Sequence, residues 1–334
     1  MTIDNYTIFL IKNNPQSLNI TQLCASLTWR DSLDTLGMQF SFDVARNKED
    51  RYMTNWDLVE IGDKLILTNN NIEVFRGIIT DLGIERYKKT ITAFDYAFYL
   101  NQSKIIIQFK KITATDAIKQ LCSKFNVPVG NITSISTQIT KIYKDKTVAE
   151  IIKDILDQAT NETGTKYRLE MREGKLYIEK YEDLIVIPIF KPASNIAPFN
   201  ALNAIGSINK TESIQAMRNS IQITSGDEQS TRVVATVEDA ANIAKYGLLQ
   251  DVESIDDKNI SQAKNIAENK LKDSNKVHED ISLELLGDDK VRSGRILEIN
   301  NETFGLSGRY LVKECTHTYN NRIHKMSITV EKVI

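Results

Sequence analysis

Two stretches of the chain repeat one order of strands, glycines and turns, and that repetition restricts the fold more than any other feature. The first begins Gly62-Asp63-Lys64-Leu65-Ile66-Leu67, passes an Asn-rich turn at 69–71, continues Phe75-Arg76-Gly77-Ile78-Ile79-Thr80-Asp81 and ends in Thr90-Ile91-Thr92-Ala93. The second begins Gly294-Arg295-Ile296-Leu297-Glu298-Ile299, passes Asn300-Asn301, continues Leu306-Ser307-Gly308-Arg309-Tyr310-Leu311-Val312 and ends in Ser327-Ile328-Thr329-Val330. The first and second glycines stand 15 residues apart in one stretch and 14 in the other. A glycine inside a strand marks a bulge or a tight bend, as at a barrel corner. Antiparallel meanders look alike in general, so chance similarity stays open beside duplication. Duplication predicts two related β-barrels in one chain, and three chains in a ring would then present six similar barrels.

Strand patterning dominates the rest. Gln39–Ala45 alternates Phe40, Phe42 and Val44 on one face, the period of a half-buried strand. Further strands are predicted at 6–12, 59–68, 73–81 and 89–94, with Phe94, Tyr96 and Phe98 continuing one sheet face. The pattern changes near residue 110. Thr113-Ala114-Thr115-Asp116 opens a helix whose face is Ile118, Leu121, Cys122 and Phe125; Thr147 with Glu150 opens a second, carrying Val148, Ile151, Ile152, Ile155, Leu156 and Ala159 and closed by Gly164. The stretches 167–171 and 175–179 form a hairpin around Arg172-Glu173-Gly174, and 191–209 reads as an extended connector. Strands return at 218–224 and 232–237, then helices at 238–245 and 258–273, then strands at 278–285, 295–299, 308–319 and 324–332, with a turn at Asn320-Asn321. The expectation is a mainly β chain with an α/β insertion (α+β): a tube-like β-barrel over 1–105, an α/β module over 106–185, and a second tube-like β-barrel over 186–334 with a helical insertion at about 238–273.

Several functions find no support in the residues. Forty-two basic and 44 acidic side chains leave a net charge of −2, without the basic surplus of a nucleic-acid binder. Cys24, Cys122 and Cys315 are too few and too scattered for a disulfide framework, which fits a reducing compartment. No signal peptide is read at 1–12, and the longest apolar runs, such as 184–190, are far below the ~20 residues of a membrane span. No nucleophile elbow, phosphate loop or His-Glu-x-x-His motif occurs. Cys315, His317 and His324 can share one face of a hairpin, but no fourth zinc ligand is apparent and ordinary half-buried strand residues explain them better. The acidic pairs Asp256-Asp257 and Asp288-Asp289 are expected to be solvated, and the aromatic cluster at 94–99 to pack a core. No catalytic, cofactor-binding or metal-binding residue is assigned, and no cofactor.

Taken in order, these segments resemble a known family. Phe75–Asp81 with Ala93–Asn101, Ile112–Ile118 with Val127–Gly130, Lys245-Tyr246-Gly247 with the Ala263, Ala267, Leu271 helix, and Gly308–Val312 with His317, His324 and Met326 are similar to the tail hub proteins of PBSX-type prophages and phage-derived contractile bacteriocins. Those are similar in turn to late control protein D of contractile phages and to the hub part of type VI secretion spikes. The resemblance covers nearly the whole chain. It implies a homotrimer with pseudo-six-fold symmetry, joining a hexameric tail tube to a trimeric spike and assembled in the bacterial cytoplasm. The implied partners are tube or tube-initiator subunits, the spike, baseplate wedge proteins and the tape measure protein, without specific nucleic-acid binding or a membrane anchor. Two alternatives stay open: a cell-wall-binding or cell-wall-degrading tail component, and a tail-tip adaptor of a non-contractile phage.

Overall fold

The computed structural model describes residues 3–12, 17–54, 56–226, 231–255 and 257–333. Strands take 51% of the chain and helices 21%, so strand pairing sets the architecture. The first set comprises β1 (Tyr6–Ile11), β2 (Ser17–Asn19), β3 (Cys24–Ser32), β4 (Gln39–Ala45), β5 (Lys64–Asn69), β6 (Ile72–Ile84) and β7 (Lys88–Asp95). Alternation places Ile8, Leu10, Trp29, Phe40, Phe42, Leu65, Leu67 and Ile91 in one core. The expected continuation of β7 through Phe98 is corrected. Asp95 accepts hydrogen bonds from the Met38 and Ala97 backbone N–H groups at 2.7 and 3.0 Å, which ends the strand and starts α1 (Ala97–Gln102). Phe94, Tyr96 and Phe98 are half-buried, whereas Ala97 and Leu100 are fully buried.

The middle segment holds β8 (Lys104–Thr113), α2 (Ala114–Lys124), β9 (Val129–Ile132), β10 (Gln138–Thr147), α3 (Val148–Thr163), β11 (Tyr167–Arg172) and β12 (Lys175–Lys180). Both helix starts behave as their sequences require: Thr113 accepts from the Asp116 N–H, and Thr147 with Glu150 forms a reciprocal capping box. The buried stripes of α1, α2 and α3 share one core with Leu176 and Ile178 of β12.

The last third begins with β13 (Ile189–Phe190) paired to β14 (Phe199–Asn200), followed by the edge strand β15 (Ser207–Ser213). A satellite unit of β16 (Ser220–Gly226), β17 (Thr231–Glu238), α4 (Ala240–Tyr246), β18 (Gln250–Ile255) and α5 (Ala263–Ser274) comes next. The helix expected from Lys258 is preceded by a 3-10 turn at Asp257–Gln262, and α5 packs Ala263, Ile266 and Ala267 on Ile221 and Ile223. Asp256 lies outside the described residues, and of its pair only the backbone of Asp257 is described. The chain closes with β19 (His278–Leu286), β20 (Ile296–Asn301), β21 (Leu306–Asn320) and β22 (Ile323–Lys332). The β21–β22 turn falls on Asn321 and Arg322, both at positive φ, one residue later than expected.

The expected pair of separate barrels is replaced by one continuous sheet. Its strand order is β15-β19-β22-β21-β3-β4-β7-β6-β5-β1-β2, with β20 also paired to β21, and no closed barrel forms among the described residues. The reason is β3, which no local signal marked as a strand. It pairs with β4 on one side and with the second half of β21 on the other.

The two repeated stretches nevertheless share detailed geometry. Both β5-β6-β7 and β20-β21-β22 are antiparallel meanders, flanked by β4 then β3 in the first and by β19 then β15 in the second. Gly62 and Gly294 both open their strands at positive φ, 89° and 83°. Gly62 N–H donates to Ile79 O and Ile79 N–H to Asp63 O, both at 2.9 Å. Gly294 N–H donates to Val312 O at 2.7 Å and Val312 N–H to Arg295 O at 2.8 Å. The register of each meander then slips at the same place, between Ile79 and Asp81 and between Val312 and Glu314. Ile79 therefore corresponds to Val312, and Gly77 to Tyr310 rather than to Gly308.

These two glycines separate backbone strain from steric fit. A Cβ at Gly62 meets no atom within 4 Å, whereas one at Gly294 lies 2.4 Å from Arg168 Cδ. Gly62→Ala is expected to cost about 1–2 kcal/mol from left-handed strain alone. Gly294→Ala is expected to cost about 1–3 kcal/mol more, because the buried Arg168 must move. Urea unfolding midpoints of the two variants measure the difference.

Candidate functional site

Six register pairs, from Glu314 opposite Ser32 to Tyr319 opposite Leu27, join β21 to β3 and so fuse the two strand sets. On one face of this seam His317 lies flat against Trp29, ring centroids 5.1 Å apart and 5° from parallel. His317 Nε2 is 2.8 Å from Val291 O, which only accepts, so that nitrogen carries the proton. In the neutral ring Nδ1 is then an acceptor, and His324 Nε2, 2.9 Å away, donates to it. His324 Nδ1 faces Asp4 Oδ2 and the Tyr6 hydroxyl, each 3.0 Å away, and Tyr6 donates to Asp289 at 2.9 Å. Burial, then the neighbouring His324, holds His317 well below the usual histidine range. Burial pushes the Asp289 carboxyl up. Burial also raises Asp4, but its hydrogen bonds from His324 and Asn69 outweigh that and leave it lowered.

The structure thus brings Cys315, His317 and His324 together as their spacing allowed, with Cys315 Sγ 3.0 Å from His317 Nε2. Asp289 completes a group with His317 and His324 whose ligand atoms lie within 4.8 Å of one another. This set has the donor chemistry for a transition metal, but the hydrogen bonds just described already use those atoms. The expectation that Asp288 and Asp289 are merely solvated is corrected: Asp288 accepts from Ile189 N–H at 2.7 Å, and Asp289 from Tyr6 and Asn69. His278, the remaining histidine, pairs instead with Glu331.

Further along the same face of the seam, around Asp31, lies a buried charge network that sequence reading missed. Glu170 meets Arg295 at 2.7 Å, Arg172 at 3.1 Å and Arg292 at 3.9 Å; Asp31 meets Arg292 at 3.5 Å and Arg168 at 3.6 Å. Ser293 bridges them, donating its N–H to Asp31 and accepting from Arg168. Burial raises the Glu170 carboxyl, but Arg292 and Arg295 outweigh it and bring it down to about 2. Asp95, fully buried nearby, is pushed up to about 6 by burial, against the backbone N–H groups of Met38 and Ala97. These residues come from β3, β11 and the 291–295 turn, so the network ties the middle segment to both strand sets.

Two stretches of backbone stay open at the ends of this framework. Among the described residues no strand pairs with β15 on its side away from β19, and none with Asp81–Ile84 on the side away from β7. No helix among them is long and apolar enough to cross a membrane.

A fused double strand set with an α/β segment clamped to it defines a recognisable class. The family model described as YQBQ-like matches residues 27–331, and the chain belongs to that family. It is 28% identical over 277 residues to the Bacillus subtilis protein YqbQ, covering 81% of this chain and 82% of the other. It is 25% identical over 276 residues to the phage-like element PBSX protein XkdQ of the same organism, with the same coverage of 81% and 82%. The fold is shared with the 43 kDa tail protein of prophage MuSo2 from Shewanella oneidensis, at a TM-score of 0.69 and 13% identity over 97% of this chain and 98% of that one. It is shared too with the E. coli type VI secretion component c3393, at a TM-score of 0.56 and 9% identity over 97% of this chain and 77% of that one.

Removing Glu170 leaves buried arginines without their counter-charge. Glu170→Gln is expected to cost about 3–5 kcal/mol by urea unfolding at pH 7. Its deficit should shrink as pH falls from about 4.5 toward 2, where the wild-type carboxylate also loses its charge. His317 acts in a higher window. The unfolded chain binds a proton below about pH 6.5 that the folded ring refuses, so this term is fully present above 6.5 and is lost as pH falls. The stability advantage of wild type over His317→Asn should therefore narrow by up to about 1.4 kcal/mol per pH unit below 6.5. Parallel denaturation series at pH 7.5, 6.5 and 5.5 measure it.

Proposed function

We propose that this protein is a structural component of a phage-derived tail, namely the baseplate hub of a contractile particle. On this reading it is a homotrimer whose pseudo-six-fold ring joins a hexameric tail tube to a trimeric spike. Membership of the YQBQ-like family, together with the similarity to the PBSX protein XkdQ, supports a tail protein of prophage origin. The observation that carries the finer reading is the repeated meander, with the same Gly turn and the same bulge in both copies. One chain with two equivalent wall units offers six from three copies, which matches three-fold to six-fold symmetry. The division into 1–105, 106–185 and 186–334 then gives two wall units, each a barrel-like segment of the ring, and an α/β module beside them. The role is structural rather than catalytic, since the buried histidines, arginines and carboxylates are engaged with one another across the seam.

The tube or its initiator and the spike are the expected partners along the axis, wedge proteins around it, and the tape measure protein within the tube. Light scattering on the purified chain, alone and with its spike, is expected to give three times the 37.9 kDa protomer mass. A monomer under every condition would exclude the ring. Cryo-electron microscopy of the particle is expected to place three copies between tube and spike.

A further inference from the structure

We infer that copies of this chain join edge to edge through the same strand pairing that fuses the two strand sets within it: β15 of one copy pairs antiparallel with Asp81–Glu85 of the next. This rests on the ring reading above and specifies its contact. The template is the internal seam. After the slip at Val312, β21 leaves β20 and pairs with β3 from Glu314 onward. After the corresponding slip at Ile79, β6 has left β5, whose last partner is Ile78, and among the described residues no strand pairs with Asp81–Ile84 on that side. The strand standing where β3 stands is β15. Ser41 pairs with Thr92 as Ser282 pairs with Thr329, and Thr28 lies opposite Ser41 as Asn209 lies opposite Ser282.

The seam therefore fixes a register for the contact. Thr316 opposite Arg30 translates to Gly83 of one copy opposite Thr211 of the next. The neighbouring pairs are Asp81 with Ser213, Leu82 with Glu212, Ile84 with Lys210 and Glu85 with Asn209. None of these sets like charges opposite each other, which would oppose pairing. Both edges have the properties of unprotected pairing templates. Residues 207 and 209–212 of β15 are exposed, the strand contains no proline, and among the described residues no strand pairs with its outer edge. Beyond the β6 bulge, Ile84 is 62% exposed and Tyr87 56%, apolar surface that an added strand would cover. Each chain has one edge of each kind, so the contact is head-to-tail and closes into a ring or extends indefinitely.

The test is a disulfide across the register. Gly83→Cys with Thr211→Cys, both exposed sites, is expected to form an intermolecular disulfide under mild oxidation about tenfold faster than Gly83→Cys with Lys210→Cys, whose side chains lie on opposite faces. Denaturing gels should show dimers and trimers and nothing longer. A Gly83→Ser, Thr211→Ser chain that still trimerises shows that the positions tolerate change. Trimers by light scattering without preferential linkage of the 83/211 pair would overturn this register and leave the ring reading standing. A linked ladder beyond trimer would overturn closure at this contact. A chain monomeric with and without its spike would overturn both.

Discussion

The seam between β3 and β21 is the constraint on which the rest of the structure depends. β21 is 15 residues long and, on the edge away from β22, serves two partners in turn, β20 along its first half and β3 along its second. The change of partner needs β20 to stop and the strand to turn, and the Gly294-Arg295 turn with the slip after Val312 supplies both. Without β3 the second half of β21 would carry a row of buried backbone groups lacking partners, each costing about as much as a lost hydrogen bond.

Polar chemistry concentrates on that seam because the seam is where three cores meet. Burying several arginines and carboxylates costs several kcal/mol per ion, which contacts among them must offset. The same groups gain in return a geometry that only the native arrangement satisfies. Asp31 belongs to the strand that closes the seam, Glu170 to the middle segment, and Arg292 and Arg295 to the turn that redirects β21. A displaced middle segment would leave the arginines of the turn facing a single carboxylate. The histidine pair further along the same face works alike, since the Val291 carbonyl fixes the proton on His317 Nε2 and leaves its Nδ1 to accept from His324.

Much of this was legible where the signal is local. Alternation in Gln39–Ala45, the Thr147 and Glu150 capping box and the Asn-rich hairpin turn all act within a few residues, and each appears close to where its sequence places it. The strand β3 was not legible, because Cys24–Ser32 buries only Leu27, Trp29 and Asp31 fully and reads as a polar stretch. β18, with the sequence QDVESI, hides for the same reason and owes its state to parallel pairing with β16. The glycine spacing pointed to the right repetition through a partly wrong correspondence, since Gly62 matches Gly294 but Gly77 does not match Gly308. Cys315, His317 and His324 could be grouped because one hairpin carries them, whereas Asp31, Glu170 and Arg292 are brought together only by the tertiary fold.

The two strand sets are alike where they meet other strands and unlike where they meet the rest of the chain. β5 is covered on its outer side by β1, antiparallel, whereas β20 is flanked by Leu184–Val186, which bridges to it in the parallel sense at Ile185 and Ile296. In the ring proposed above, the equivalent meanders and bulges would give repeated edges, and the unequal flanks, one supplied by β1 and the other by the exit from the α/β segment, would mark every second unit as different. Because β3 must wait for β21 before the seam forms, nearly the whole chain has to be present before the sheet is continuous.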